Sequence, residues 1–144
     1  QKEEKKAVVK VDPLPVVKGY RTQLQQLLQN LISNALKYSR QDVPPQINIR
    51  ASVVNGADFT EQIPESLFDK HFHLIEVQDN GIGFEQQYAE RIFSMFQRLH
   101  GRSEYEGTGI GLSIARKVVD NHQGYIWARS QPGAGAIFSL LLPV

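Results

Sequence analysis

The sequence predicts an α/β two-layer sandwich, a mixed sheet with helices packed on one face. Three observations carry this. Some segments repeat apolar residues at helical spacing, and others alternate apolar and polar residues with a period of two. The two kinds are interleaved irregularly, without the steady βαβ order of a doubly wound sheet. Bulk properties fit one such domain. The chain has 144 residues, and its 41% hydrophobic content suffices for a core without disulfides or a structural metal. Residues 1–144 are therefore read as one domain with a charged, frayed start at 1–6.

From the N-terminus, Ala7-Val8-Val9-Lys10-Val11 reads as a short strand, broken by Asp12-Pro13-Leu14-Pro15 because proline fixes φ and removes a donor. A helix is expected over about Thr22–Ser39, where Leu24, Leu27, Leu28, Leu31, Ala35 and Leu36 recur at helical spacing. Pro44-Pro45 closes it. Gln46–Val54 alternates through Ile47, Ile49, Ala51 and Val53 as a strand, and Asn55-Gly56 is a turn signal. Residues 57–70 read as a longer connection. Phe72–Asp79 is the next strand, and Glu85–Phe96 is expected to be helical. Leu99–Glu106 is polar and aperiodic, and is expected to be mobile. Ile110–Asn121 is a helix with Ile114, Ala115, Val118 and Val119 on one side. Tyr125–Ser130 and Ala136–Leu142 form a closing hairpin around Pro132-Gly133-Ala134-Gly135.

Composition excludes several functions. Without cysteine there is no disulfide scaffold, thiol catalysis or cysteine-bound metal, and a reducing, cytoplasmic setting is expected. A formal net charge of +1 gives no field that would draw nucleic acid or a membrane surface, so neither is an expected partner. No apolar run approaches a membrane span, and no signal peptide is recognisable. The chain begins with Gln1 rather than Met, so it is expected to be a piece of a longer protein.

Three motifs carry chemistry. On the first long helix, at about 100° per residue, Gln23, Gln26, Asn30, Asn34 and Lys37 fall within an arc of roughly 80°. A solvated face is the common reason for such a polar stripe, but those are usually built from Glu and Lys. Amides offer neutral oxygens for a hard cation and N–H groups for phosphate. The second motif ends a strand. Asp79 closes the inward row His73, Ile75, Val77, and Asn80-Gly81-Ile82-Gly83-Phe84 follows at once. An Asx-turn would explain the glycines structurally; a carboxylate accepting from a base amine is the functional reading. The third motif, Gly107-Thr108-Gly109-Ile110-Gly111-Leu112, precedes a helix whose N-terminus can cradle phosphate. Its spacing is neither the dinucleotide fingerprint nor a P-loop.

Together these pieces resemble the N, G1, F and G2 boxes of histidine kinases in the GHKL ATPase superfamily. The N box corresponds to Gln26–Ser39, the G1 box to Asp79–Phe84, the F box to Ile92–Leu99 and the G2 box to Gly107–Ser113. The resemblance implies a GHKL-type fold and binding of ATP with Mg²⁺. It implies that Asn34 binds Mg²⁺, that Asn30 and Lys37 support the phosphates, and that Tyr38 lines the site. Asp79 would accept from the adenine amine, and Gly81, Ile82 and Gly83 would shape the base pocket. Residues from about Gln97 to Glu106 would form a lid, with Arg98 within it reaching the phosphates, and Phe96 would belong to the nucleotide-binding set. Gly107, Thr108, Gly109, Ile110, Gly111 and Leu112 would hinge the lid and offer backbone donors. Asn30, Asn34, Lys37 and Arg98 form the implied catalytic set.

Related gyrase-like and MutL-like ATPases carry a water-activating glutamate one helical turn before the metal-binding Asn. Here Asn30 stands there and cannot act as a general base, so slow hydrolysis is expected. The implied activity is transfer of the γ-phosphate to a histidine, with a non-catalytic ATP-binding scaffold and a GHKL ATPase as alternatives. None of His71, His73, His100 and His122 carries the acceptor pattern. The implied partners are a dimerisation and phosphoacceptor domain upstream of Gln1, through which a homodimer would form, and a response regulator. Two positions depart from the family pattern: Gln123 in Asn121-His122-Gln123-Gly124, which resembles N-H-G-G, and Ala136 where Ser or Thr is common.

Overall fold

A computed structural model describes residues 7–15, 19–93 and 111–144. Its elements are β1 (Val8–Val11), α1 (Arg21–Lys37), β2 (Gln46–Asn55), β3 (His71–Asp79), α2 (Gly111–Asn121), β4 (Tyr125–Ser130) and β5 (Ala136–Pro143). The strands form one five-stranded sheet in the order β1-β2-β3-β5-β4. β1 pairs parallel with β2, and the remaining neighbours are antiparallel. The sheet is therefore mixed, as expected, and β1-α1-β2 is a single parallel crossover within it.

Period-two alternation sets the two faces of the sheet. Ile47 and Ile49 on β2, Ile75 and Val77 on β3, and Phe138, Leu140 and Leu142 on β5 share one buried face. Leu27, Leu31 and Ala35 of α1 and Ala115, Val118 and Val119 of α2 pack against them in one core. Burying one such leucine or isoleucine fully contributes about 1.5–3 kcal/mol. α1 ends where Tyr38 leaves helical geometry (φ −104°, ψ 28°), while the Ser39 hydroxyl donates to the Leu36 carbonyl at 2.9 Å.

The 57–70 connection is more than a linker. It forms two short 3₁₀ turns, Gly56–Phe59 and Glu65–Leu67, and folds back on the opposite face of the sheet. There Ile63 packs with Phe72 and Leu141 in a second, smaller core flanked by Phe59 and Trp127. The expected helix over Glu85–Phe96 is not formed in its described part, and residues 94–96 lie outside the described residues. Two separate 3₁₀ turns, Gln86–Tyr88 and Arg91–Phe93, occupy the stretch instead. The Gln86 side chain explains the break. Its amide donates to the Ala128 carbonyl at 3.1 Å and accepts from the Ser130 N–H at 2.9 Å, pairing with the edge of β4 as another strand would. The segment expected to be mobile, Leu99–Glu106, lies outside the described residues. Among the described residues no helix is long and apolar enough to cross a membrane.

α2 terminates in a Schellman arrangement. Gly124 N–H donates to the Val119 carbonyl at 2.9 Å and Gln123 N–H to the Asp120 carbonyl at 3.1 Å. This places Gln123 in the left-handed region, φ 56°. Glycine holds that conformation without steric cost, whereas an L side chain pays about 1–2 kcal/mol. Gln123→Gly is therefore expected to stabilise the chain by up to about 1 kcal/mol, after the extra freedom of glycine when unfolded is deducted. Urea unfolding would show a raised midpoint; a lowered one would contradict the strain at Gln123.

Candidate functional site

The site is built around the end of β3. The inward row His73, Ile75, Val77 runs out at Asp79, whose ladder neighbours are Ile47 on β2 and Ala136 on β5. Burial pushes the Asp79 carboxyl above the usual aspartate range, while the backbone N–H groups of Gly81 and Ala136 pull it back down. Gly81 N–H donates to Asp79 Oδ1 at 2.8 Å. A carboxylate has about four lone-pair directions, so acceptor capacity remains for a further donor. The carboxylate is thus held in one orientation by its own loop.

That loop is wedged between two other parts of the chain. On one side lies the end of α1, where the Tyr38 carbonyl accepts from Ile82 N–H at 3.0 Å. A Cβ on Gly81 would come within 2.5 Å of the same carbonyl oxygen, so only glycine fits. On the other side lies the β4–β5 turn. Gly83 has φ 69°, and a Cβ there would meet the Gln131 carbonyl oxygen at 2.1 Å. Gly133 N–H donates to the Ile82 carbonyl at 2.6 Å. The Ser130 hydroxyl accepts from Phe84 N–H at 2.9 Å and donates to the Gly135 carbonyl at 2.6 Å. Asn80 closes the loop sideways, accepting from Gln46 N–H at 2.8 Å and donating to the Pro44 carbonyl at 3.2 Å.

The expected site residues are brought together in part. Asp79, Gly81, Ile82, Gly83 and Tyr38 form one continuous wall. Asn30, Asn34 and Lys37 follow one another along the same stretch of α1 that leads to Tyr38, with both asparagines half-buried and Lys37 exposed. α2 begins at Gly111, and Leu112 packs against the main core. Phe96, Arg98, Gly107, Thr108, Gly109 and Ile110 lie outside the described residues, as does His100. The amide face of α1 divides in two. Gln23 accepts from the Asn121 side chain at 3.3 Å and so ties α1 to α2.

Sequence reasoning missed Asn80, Gln86 and Ser130, which hold the loop rather than line it. The one available signal was an Asn directly after a strand-end Asp, a residue type that bonds backbone readily. The donor set fits a hard cation delivered with phosphate. Among the described residues no three His, Cys, Asp or Glu side chains gather to hold a metal. The neutral amide oxygen of Asn34 would suit Mg²⁺, the metal keeping phosphate and water oxygens as its other ligands.

Two outcomes test this construction. Gly83→Ala is expected to lower stability by about 2 kcal/mol or more, from left-handed strain plus the clash with Gln131. An unchanged denaturation midpoint would contradict the wedge. Asp79 has a folded-state pKa above its unfolded one. Its contribution to stability is therefore greatest below the unfolded pKa and is lost as pH rises through the folded one. Asp79→Asn is accordingly expected to stabilise the nucleotide-free chain near neutral pH, with a gain that shrinks on acidification. A variant less stable than the parent at every pH would contradict the burial cost.

Residues 19–144 match the family described as histidine kinase-, DNA gyrase B- and HSP90-like ATPase. Cyanobacterial phytochrome A of Nostoc sp. strain PCC 7120 is 48% identical over 133 residues, which is 92% of this chain and 15% of that protein. Phytochrome-like protein Cph1 of Synechocystis sp. strain PCC 6803 is 41% identical over 142 residues, 99% of this chain and 17% of that protein. The chain thus spans about one-sixth of the length of these relatives. A solved structure of full-length ShkA in complex with AMPPNP matches 98% of this chain and 26% of its own, with a TM-score of 0.73 and 24% identity, a likeness of fold. With residues 19–144 matched, the chain belongs to the histidine kinase-, DNA gyrase B- and HSP90-like ATPases.

Proposed function

We propose that this chain binds Mg-ATP with its purine against Asp79 and its phosphates along α1, and that in the longer protein the γ-phosphate passes to a histidine on a separate dimerisation domain. The observation that carries the reading is the Asp79 carboxylate, buried, oriented by Gly81 N–H and open to one more donor. An exocyclic amine on an adenine ring supplies such a donor. The complex of ShkA with AMPPNP supports the ligand class.

Each residue has a role in this reading. Asp79 accepts from the amine and fixes the base in the wedge formed by Gly81, Ile82 and Gly83. Tyr38 closes the side of that wedge nearest α1. Asn34 offers its amide oxygen to Mg²⁺, and Asn30 and Lys37 face the phosphates. Mg²⁺ bound with the nucleotide neutralises charge on the phosphates. Asn30 carries no basic group, so it leaves water unactivated and the nucleotide intact for transfer. Arg98 and the 107–110 glycines complete the reading from their family resemblance. The acceptor histidine belongs on a partner domain: His71 and His73 lie on β3, and both ring nitrogens of His122 are engaged. A response regulator would receive the phosphate from that domain.

A transfer assay decides among the readings. The chain is mixed with labelled ATP and dimerisation domains of sensor kinases. Label on a histidine is expected; tight ATP binding with no label would favour a scaffold, and rapid phosphate release a GHKL ATPase. Two substitutions address the pocket by calorimetry. Asn34→Ala is expected to weaken Mg-ATP more than metal-free ADP, and equal losses would contradict the metal role. Asp79→Asn is expected to weaken adenine nucleotides by roughly tenfold, the worth of one charge-assisted hydrogen bond. Unchanged affinity would remove Asp79 from the pocket.

A further inference from the structure

His122 lies outside every motif assigned to the nucleotide, yet it is among the few buried polar side chains, 7% exposed. Both ring nitrogens are engaged. Nδ1 lies 2.8 Å from the Val118 carbonyl, one turn back in α2, and Nε2 lies 3.0 Å from Tyr20 N–H. A carbonyl only accepts and a backbone N–H only donates, so the ring is neutral with its proton on Nδ1. The Tyr20 ring meets the imidazole edge-on at 5.7 Å between centroids. Gly19 lies so close that a Cβ there would come within 2.4 Å of two ring atoms.

Tyr20 is the N-cap of α1, and its own side chain makes no capping hydrogen bond. No acidic residue stands in the first turn to meet the helix dipole. The imidazole therefore takes the N-cap N–H from across the fold. The Gln23–Asn121 bond lies beside it and joins the same two helix ends. From this shared point α1 runs about 15 Å to Asn30 and α2 runs back about 16 Å to Gly111, at 1.5 Å per residue. The two helices pack in one close-fitting core through Leu27, Leu31, Ala115, Val118 and Val119.

We infer that His122 is a positioning residue for the nucleotide site: its Nε2 bond to Tyr20 sets the axial register of α1 against α2, and so places Asn30 and Asn34. The inference rests on the nucleotide reading above for its functional consequence. A rigid helix transmits a slip at one end undiminished to the other, so loosening the pin displaces both asparagines together.

Two substitutions separate the two imidazole bonds. In His122→Gln the side-chain oxygen reaches the Nε2 position and can still accept from Tyr20. In His122→Asn the shorter amide reaches only the Nδ1 position, so the Val118 bond survives and the Tyr20 bond is lost. Calorimetry with Mg-ATP is expected to give about fivefold weaker binding for His122→Asn and parental affinity for His122→Gln. Backbone amide resonances of Asn30 and Asn34 in the nucleotide-free chain are expected to move in the Asn variant and stay in the Gln variant. Gly19→Ala, which crowds the ring, is expected to reproduce the Asn pattern and serves if that variant does not fold. Parental affinity in His122→Asn, or equal shifts in the Asn and Gln variants, would overturn the inference. A parent chain that takes up no Mg-ATP would sink the nucleotide reading instead, and the amide resonances would still decide the pin.

Discussion

The site depends on one constraint: a five-residue loop must pass between the end of α1 and the β4–β5 turn with no room for side chains at its glycines. Gly81 faces the Tyr38 carbonyl and Gly83 faces the Gln131 carbonyl, both closer than any Cβ allows. Because the loop cannot relax outward, Gly81 N–H stays aimed at Asp79 Oδ1 and the carboxylate stays at the end of the buried row. Burial makes the ionised form costly, and the two backbone donors offset only part of that cost. A ligand amine that donates to the carboxylate recovers more of it. In the proposed reading, stability given up at Asp79 would be recovered on binding, a pattern expected where a site is held ready before its ligand arrives.

The bracing of this loop comes from elements far apart in sequence. Asn80 fastens it to the start of β2, Ser130 to the β4–β5 turn, and Gln86 carries the following segment along the edge of β4. The same logic acts at the distal ends of the helices, where His122 and Asn121 of the α2 terminus hold Tyr20 and Gln23 of α1. Side-chain hydrogen bonds, most of them to backbone, rather than apolar contacts, set the relative positions of elements already packed by the core. Such bonds are directional, so they fix register where a greasy interface alone would tolerate sliding.

Periodicity made much of this legible. The apolar spacing of Leu27, Leu31 and Ala35 marked α1, and the alternation of Ile47 and Ile49, then Ile75 and Val77, marked β2 and β3 and pointed Asp79 inward. The glycines after Asp79 signalled a tight loop, though what they press against was invisible. Long-range side-chain-to-backbone bonds leave no periodic trace. Gln86 therefore read as one more helical residue, when its amide instead breaks the helix by pairing with β4. Gln23 read as part of a ligand face because its angle on the helix is right; only the neighbouring helix reveals its partner. His122 read as an ordinary helix-end residue, since its partner Tyr20 stands 102 positions away.

The central claim is that the Asp79 carboxylate receives the adenine amine. A crystal structure of the chain with Mg-AMPPNP tests it most directly. The expected result is the exocyclic amine within hydrogen-bond distance of a carboxylate oxygen of Asp79, with the phosphates running along α1 past Asn34. A nucleotide bound elsewhere, or a base whose amine points away from Asp79, would contradict the account.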